Sequence, residues 1–313
     1  MRVAALAGGV GAGKLLRGLV RVVAPSDVTV VVNTGDDVVM HGLRVCPDLD
    51  SVTYWLGDVF DRERGWGRRD ETFRATEELR AFDAELAWFG LGDLDLATHL
   101  FRTHLLSSGL SLSEVTARIG ARFGVTAELL PMSDEPVTTR IAVASDGEEL
   151  DLHFQEYWVR RGARDEVKAV RYEGASSAAP APGVLEAIRA ARVVLVCPSN
   201  PVASIGPILS VPGIREELER RRERVVGISG IVDGAPLSGM ADKLMPAAGV
   251  EVTAAGAADC YRGLLGAWVV DQTDRGLVPR IEATGVRAGV TDTIMTDDGK
   301  AESLARFALG LVE

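Results

Sequence analysis

A buried strand that ends in a cluster of acids is the feature that most constrains this chain. The run at residues 28–33 is rich in β-branched residues, which favour a strand, and polar side chains follow it. These are Asn33, Asp36, Asp37, Asp48 and Asp50. Carboxylates gathered beside one buried strand repel one another and lose hydration, so a cation is expected among them. Hard divalent cations share oxygen ligands with substrate phosphates, which predicts metal-assisted chemistry on a phosphorylated substrate.

The acids do not all need to act in this way. We predict Asp36, Asp48 and Asp50 as ligands of Mg²⁺, and Asp36 and Asp50 as the catalytic acids. An Asp after a strand is often a turn or capping residue, and residues 47–55 can form a helix. One of Asp48 and Asp50 is therefore expected to be structural. Asn33 either binds phosphate or metal, or bonds to the backbone.

A glycine-rich loop near the N-terminus predicts a phosphate site. The strand predicted at residues 2–6 leads into Gly-Gly-Val-Gly-Ala-Gly-Lys at 8–14, and a helix is predicted from 15 to 23. Strand, glycine loop and helix together present backbone N–H groups to an anion. The spacing fits the P-loop pattern, but Leu15 stands where a P-loop has Ser or Thr. Such a loop can also be a tight packing turn, and the nearby acids favour phosphate binding. The predicted nucleotide contacts here are Gly8, Gly9, Val10, Gly11, Ala12 and Lys14.

The alternation of strand-like runs with helical patterns predicts an α/β fold. We expect residues 1–313 to form one domain with a Rossmann-like, mostly parallel sheet. A helical insertion at about 50–124 is expected to cover the crevice, and a β-rich section is expected at about 126–172. Ligands of such sheets bind at the carboxyl ends of the strands, so Ser199 and Asn200 become further nucleotide candidates. The predicted core strands are residues 2–6, 28–33, 193–197, 225–229 and 266–270.

Composition narrows the function classes. The 313 residues are 47% hydrophobic, which is ample for a core, and the formal net charge is −11. Nucleic-acid partners need a basic surface, so none is expected. Apolar runs are too short for a membrane span, and residue 1 leads straight into a core strand rather than a signal peptide. Three widely spaced cysteines form no CxxC pair and are expected to be reduced thiols in the cytoplasm.

Ten short segments together resemble one family. They resemble segments of the 2-phospho-L-lactate transferase family of deazaflavin coenzyme F-420 biosynthesis. Their residues are most similar to those of the actinobacterial members. Each segment alone is unspecific, whereas the combination runs nearly end to end. The segments are residues 8–12, 32–37, 40–42, 47–50, 90–93, 97–99, 130–134, 153–158, 198–201 and 204–209.

The resemblance implies a reaction and its partners. A guanosine diphospho-linked lactate or enolpyruvate would donate its phospho-acid to the ribityl hydroxyl of the deazaflavin alcohol Fo, with release of GMP. It also implies a homodimer. Asp50 matches the acid on the deazaflavin side, so the predicted Fo contacts are Asp50, His41 and Gly90. The archaeal-type pattern has a Lys near position 90, and this chain does not.

Two other functions stay open from the sequence. The related gluconeogenesis-factor family shares the loop and fold but acts as a sugar-nucleotide-binding regulator. A P-loop phosphotransferase is the second, although Leu15 weighs against it. At the level of single residues, Asn200 is equally well an ordinary Asx turn. His99 and His153 are expected in polar networks or packing rather than as metal ligands.

Overall fold

A seven-stranded parallel sheet forms the centre of the protein in this computed structural model, which describes residues 1–82, 85, 87–145 and 147–312. In chain order the strands are β1 (Val3–Ala7), β2 (Val28–Val32), β3 (Val38–Met40), β4 (Leu43–Val45), β5 (Glu128–Pro131), β6 (Thr138–Ser145), β7 (Glu148–His153), β8 (Glu166–Glu173), β9 (Val193–Val196), β10 (Val225–Ile228), β11 (Ile231–Val232), β12 (Ala235–Pro236), β13 (Ala267–Asp271) and β14 (Arg287–Thr291). The order in the sheet is β14–β13–β10–β9–β1–β2–β5.

The helices flank this sheet. They are α1 (Gly9–Val22), α2 (Pro47–Leu56), α3 (Arg74–Ala81), α4 (Asp93–Ser107), α5 (Leu112–Arg122), α6 (Val184–Ala190), α7 (Gly206–Ser210), α8 (Ile214–Arg220), α9 (Ala241–Ala247), α10 (Ala254–Asp259), α11 (Val278–Glu282) and α12 (Asp298–Gly310). Helix α1 begins at Gly9, so the glycine loop is the first turn of this helix rather than a separate loop before residue 15.

The predicted α/β class with a parallel sheet is confirmed. All five predicted strands lie in the sheet, and every residue of β1 is buried. Strands covered by helices on both faces read as continuous apolar runs, which is why the sequence reveals them. The edge strand β14 was not predicted because its residues are mostly half-buried and give no such run. Strand β5, expected in the β-rich section, pairs with β2 as the other edge.

The core divides into two layers, one on each face of the sheet. Helices α1 and α12 cover one face, where Leu15, Leu19 and Leu304 pack against Val3 and Val30. Helices α6 to α9 cover the other face. The segment at 173–183, which its composition suggests is a linker, is part of that second layer because its alanines at 175, 178 and 181 are buried there.

The two sections between β2 and β9 carry the additions to this sheet. Residues 50–124 contain most of α2 and all of α3, α4 and α5. Within residues 126–172, β6 pairs with both β7 and β8 in a separate antiparallel sheet. A short hairpin, β3–β4, leads from the acidic strand end into α2.

Helices α1 and α12 approach so closely at Gly18 that a Cβ there would overlap the backbone of Ala301. We expect Gly18→Ala to lower the free energy of unfolding by about 1–3 kcal/mol, because the helices must separate. Gly120→Ala in α5 is the matched control, since its Cβ would meet its nearest neighbours at 3.9 Å. Without a clash, this helix-favouring change should stabilise by up to about 1 kcal/mol. Urea denaturation measures both, and equal stabilities of the two variants would contradict the packing argument.

Candidate active site

A cavity of about 880 Å³ opens at the carboxyl ends of the central strands. Residues one or two positions after the ends of five strands contribute to its wall, so the parallel sheet gathers them at one edge. They are Gly8 after β1, Asn33 after β2, Pro198 after β9, Gly230 after β10 and Thr293 after β14. Most of the predicted site residues line this one cavity. These are Gly8, Gly9, Val10, Gly11, Lys14, Asn33, Asp36, Asp48, Asp50, Gly90, Ser199 and Asn200.

The first turn of α1 faces the cavity with its backbone. The N–H of Gly8 donates to Ser199 Oγ at 3.3 Å, and Gly9 adopts a φ of 73°, which favours glycine. A Cβ at Gly8 would overlap the carboxylate of Asp48, and one at Gly11 would overlap the carbonyl oxygen of Pro198. These glycines therefore let a helix N-terminus, which attracts anions, lie directly at the cavity wall.

Asp36 and Asp48 form a buried acidic pair around the amide of Asn33. Asn33 Nδ2 donates to Asp48 Oδ2 at 2.9 Å and to Asp36 Oδ1 at 3.4 Å. Gln155 Nε2 donates to the other oxygen of Asp36 at 3.0 Å. The N–H of Gly9 and the side chain of Ser204 also hydrogen-bond Asp48. Every one of these partners is uncharged.

This environment disfavours the charged forms of both acids. Burial, followed by the charges of Asp48 and Asp37, raises the pKa of Asp36 well above its ordinary value. Burial raises the pKa of Asp48 to about 7, although the hydrogen bond from Asn33 acts in the opposite direction. Since neither acid forms an ion pair among the described residues, the pair has room for the charge of a cation.

Asp50 lies in a different polar cluster, contributed mainly by α4. Arg102, itself 1% exposed, binds both carboxylate oxygens of Asp50, with NH1 at 3.1 Å from Oδ2. Arg102 NH1 also lies 3.1 Å from His99 Nδ1. His99 Nε2 is 3.5 Å from Asp95 Oδ2, and Tyr54 donates to Asp95 at 2.5 Å. We call Tyr54, Asp95, His99, Arg102 and Asp50 the α4 cluster.

The fourth acid, Asp37, is held in the protein interior. Arg44 NH2 lies 3.0 Å from Asp37 Oδ2, and Cys46 Sγ donates to the same oxygen at 2.9 Å. Burial raises the pKa of Asp37 to about 6, opposed by the charge of Arg44. Burial also raises the pKa of the Cys46 thiol, which keeps it a hydrogen-bond donor to Asp37. His153, 3.1 Å from the Asp37 carbonyl, packs as expected.

Aromatic side chains line another part of the cavity. Trp66, Trp88, Phe89 and Trp158 all contribute to its wall, and Trp66 and Trp158 are partly exposed. A Cβ at Gly90 would lie 3.3 Å from the Trp66 ring, so the glycine lets the indole lie against the backbone. Trp55, in contrast, is buried and stacks on Phe60, with 4.6 Å between the ring centroids.

Two of the predicted ligand contacts, Ala12 and His41, lie outside the cavity lining. A third, Asn200, lines the cavity and also bonds to the backbone. Ala12 is fully buried on the sheet-facing side of α1, so its side chain serves packing. His41 lies in the turn between β3 and β4, outside the cavity lining. Asn200 lines the cavity, yet its Oδ1 accepts from the N–H groups of Val202 and Ala203 at 3.0 Å. The Asx-turn interpretation of Asn200 is thus confirmed for that oxygen.

The donor set suits a hard divalent cation. Asp36 and Asp48 offer carboxylate oxygens, the ligand type that Mg²⁺ takes, and they have no positive partner among the residues described. Asp50, Asp95 and His99 also bring ligand atoms within 4.8 Å of one another. Arg102 already neutralises Asp50, however, so the uncompensated charge lies at Asp36 and Asp48. Neither Asp48 nor Asp50 caps α2, which begins after Cys46 with no side-chain cap.

Comparison with known sequences decides the family. Residues 3–301 match the family described as 2-phospho-L-lactate transferase CofD. The chain belongs to this family. A phosphoenolpyruvate transferase from Streptomyces griseus is 51% identical and covers 100% of this chain and 99% of its own length. A 2-phospho-L-lactate transferase from Methanosarcina acetivorans is 42% identical, with 98% of each chain covered. The CofD protein is therefore an enzyme that transfers phospho-acid groups, and the regulator alternative is not supported.

Solved structures show the same fold. A member of the UPF0052 family from Bacillus halodurans aligns with a TM-score of 0.62 at 19% identity, covering 99% of this chain and 100% of its own. The P-loop alternative fails locally, because Leu15 is fully buried and offers no oxygen ligand. Among the described residues of this CofD member, helices of the length and apolarity needed to cross a bilayer are absent.

Sequence reasoning missed several residues that this CofD site uses. Gln155 and Ser204 lie within segments that carry the family resemblance, but an amide or hydroxyl alone predicts no role. Arg102 had a detectable signal: Asp95, His99 and Arg102 are spaced four and three apart, which places them on one face of a helix. An Arg on the same face as a buried acid and a His indicates a polar cluster.

The acidic pair predicts a pH-dependent stability. The pKa of Asp48 is raised from 3.8 to about 7 on folding, so the folded state binds the proton more tightly. Stability contributed by this proton is present at low pH and is lost as the pH rises towards 7. Between pH 5 and pH 8 the wild type should lose on the order of 2 kcal/mol relative to Asp48→Asn, which cannot ionise.

Urea unfolding of both proteins at several pH values, without divalent cations, measures this difference. Asp271→Asn is the matched control, because Asp271 is also buried but its pKa is lowered by hydrogen bonds that outweigh burial. Asp271 stays ionised in both states above pH 5, so its variant should differ from wild type by a constant amount. A constant difference for Asp48→Asn as well would contradict the predicted linkage.

Proposed function

We propose that this enzyme joins the deazaflavin Fo to a phospho-acid from a guanosine diphospho-linked donor. The terminal ribityl hydroxyl of Fo attacks the phosphorus that carries the acid. A phosphodiester bond forms, the bond from that phosphorus to the bridging oxygen breaks, and GMP leaves. The hydroxyl proton passes to a carboxylate or to water. The observation that carries this proposal is one cavity lined by a helix N-terminus, clustered carboxylates and aromatic rings.

The donor diphosphate is assigned to the first turn of α1. The backbone there faces the cavity, and a Cβ at Gly9 would lie 3.7 Å from its nearest described neighbour, so this position leaves space for a phosphate oxygen. Lys14 lines the same cavity, and its ammonium has no hydrogen-bond or ion-pair partner in the described parts of the chain. A free ammonium beside a helix N-terminus suits a diphosphate. Ser199 and Asn200 border this position.

The acceptor is assigned to the aromatic part of the cavity. Trp66, Trp88 and Phe89 offer flat apolar surface, which suits stacking against a planar deazaflavin ring. Gly90 lies in the stretch where the archaeal-type pattern has a Lys, and Trp66 packing over the backbone there offers a surface for the ring. Asp50 lines the same cavity and is assigned to the acceptor hydroxyl.

The acids between the donor and acceptor parts of the cavity are assigned to binding a cation. Asp36 and Asp48 would hold Mg²⁺, and the ion would neutralise the donor diphosphate and the leaving GMP. Gln155 and Asn33 orient Asp36 through the hydrogen bonds described above. The family resemblance further predicts a homodimer in the cytoplasm, and light scattering of the purified protein tests the dimer.

The reaction is tested by mixing enzyme, Mg²⁺ and Fo with the guanosine diphospho-linked forms of enolpyruvate, lactate and glycerate. Mass spectrometry should detect the phosphodiester product and GMP with at least one donor. Asp36→Asn should lower turnover by roughly 10²-fold, since it removes a charge that stabilises the transition state. Asp259→Asn, whose carboxylate pairs with Arg262 outside the cavity, should retain turnover. Absence of product with all three donors would refute the proposed reaction.

Lys14 allows a separate test of the donor position. Lys14→Gln should weaken GDP binding by roughly tenfold, because a charge-assisted contact to phosphate is lost. Lys300→Gln is the control, since the ammonium of Lys300 pairs with Asp292 on the surface. Titration calorimetry with GDP at two salt concentrations reports both affinities. Equal GDP affinity of wild type and Lys14→Gln would place the diphosphate elsewhere.

A further inference from the structure

The α4 cluster contains a cation whose position a packing role does not explain. Arg102 is 1% exposed and is held 3.1 Å from Asp50 by NH1, with NH2 on the other carboxylate oxygen. Buried ion pairs add little net stability compared with apolar residues of similar size. Asp50 nevertheless lines the cavity. The pair thus maintains a charged carboxylate at a defined place in the cavity wall.

The remaining members of the α4 cluster fix the guanidinium itself. Arginine only donates hydrogen bonds, so His99 Nδ1, at 3.1 Å from Arg102 NH1, must accept. The proton of neutral His99 then resides on Nε2, which points towards Asp95 at 3.5 Å. Arg102 NH1 also reaches the carbonyl of Arg44 at 3.4 Å. The guanidinium is therefore fixed by His99 and by the Arg44 carbonyl while its two terminal nitrogens bind Asp50.

We propose that Arg102 is a positioning residue for the transfer reaction. It acts through Asp50, because it aligns this carboxylate for the acceptor hydroxyl. His99 contacts the guanidinium and is itself held by Asp95. This inference rests on the proposed function, because it assigns Arg102 a role in the step that Asp50 serves. Helix α4 thereby contributes a positioning group to the reaction in addition to covering the crevice.

The neighbouring pair provides a matched control. Arg44 NH2 binds Asp37 at 3.0 Å, so the chain contains a second arginine paired with an acid of the same segment. Neither Asp37 nor Arg44 lines the cavity. Substituting each arginine with Lys keeps the charge and removes the two-pronged geometry. Only the substitution at position 102 should therefore affect the reaction.

The test is a double-variant cycle read as kcat for phosphodiester formation. Arg102→Lys should lower kcat by roughly tenfold or more, as loss of an orienting partner does, with the KM for donor within about twofold of wild type. Arg44→Lys should retain kcat. If Arg102 acts through Asp50, adding Arg102→Lys to Asp50→Asn should cause no further loss. Multiplying losses in the double variant, or unchanged kcat in Arg102→Lys, would overturn the proposal.

A substitute variant and a crystallographic comparison cover the two cases in which this kinetic test cannot be read. Should Arg102→Lys fail to fold, Asp50→Asn/Arg102→Gln replaces it, since two amides keep a hydrogen bond without charge. A kcat equal to that of Asp50→Asn supports the proposal, and a lower one overturns it. Should the wild type form no product, the proposed function fails, and ligand-free crystal structures of wild type and Arg102→Lys then decide whether Arg102 positions the Asp50 carboxylate. A displaced Asp50 carboxylate supports positioning, whereas an unmoved one overturns it.

Discussion

Carboxylates removed from water at the end of a buried strand require counter-charges, because each uncompensated buried ion costs several kcal/mol. The polar structure around the cavity is organised by this requirement. Arg102 compensates Asp50, and Arg44 compensates Asp37. From the residues that the structure describes, Asp36 and Asp48 receive hydrogen bonds from uncharged groups alone. Charge is therefore left unbalanced at one place, and that place adjoins the N-terminus of α1, where an anionic ligand and a cation can meet.

The additions to the central sheet serve this arrangement. Helix α4 supplies both the cation for Asp50 and the His that orients it, so the helical section does more than close the crevice. The β3–β4 hairpin carries Arg44 to Asp37. In the antiparallel section, Gln155 follows β7 and reaches Asp36. Each section thus contributes one polar contact to an acid near the end of β2.

The sequence predicts the parallel sheet well because strands buried on both faces appear as continuous apolar runs. It also brings the glycine loop and the acids together, since strand ends of a parallel sheet share one edge. It does not predict how four similar carboxylates divide between partners, because that depends on side chains such as Arg102 and Gln155, which are far apart in the chain. The role of Ala12 was likewise decided by tertiary packing, about which a local pattern has no information.

The glycines at 8, 11 and 13 have a consequence for the entropy of ligand binding. A Cβ at the first or the third would overlap a side chain of α2, Asp48 or Trp55, and one at the second would overlap Pro198 after β9. The loop is consequently held by two separate parts of the chain before any ligand arrives. A preorganised cradle loses little conformational freedom on binding, so more of the interaction energy with a diphosphate is available as affinity.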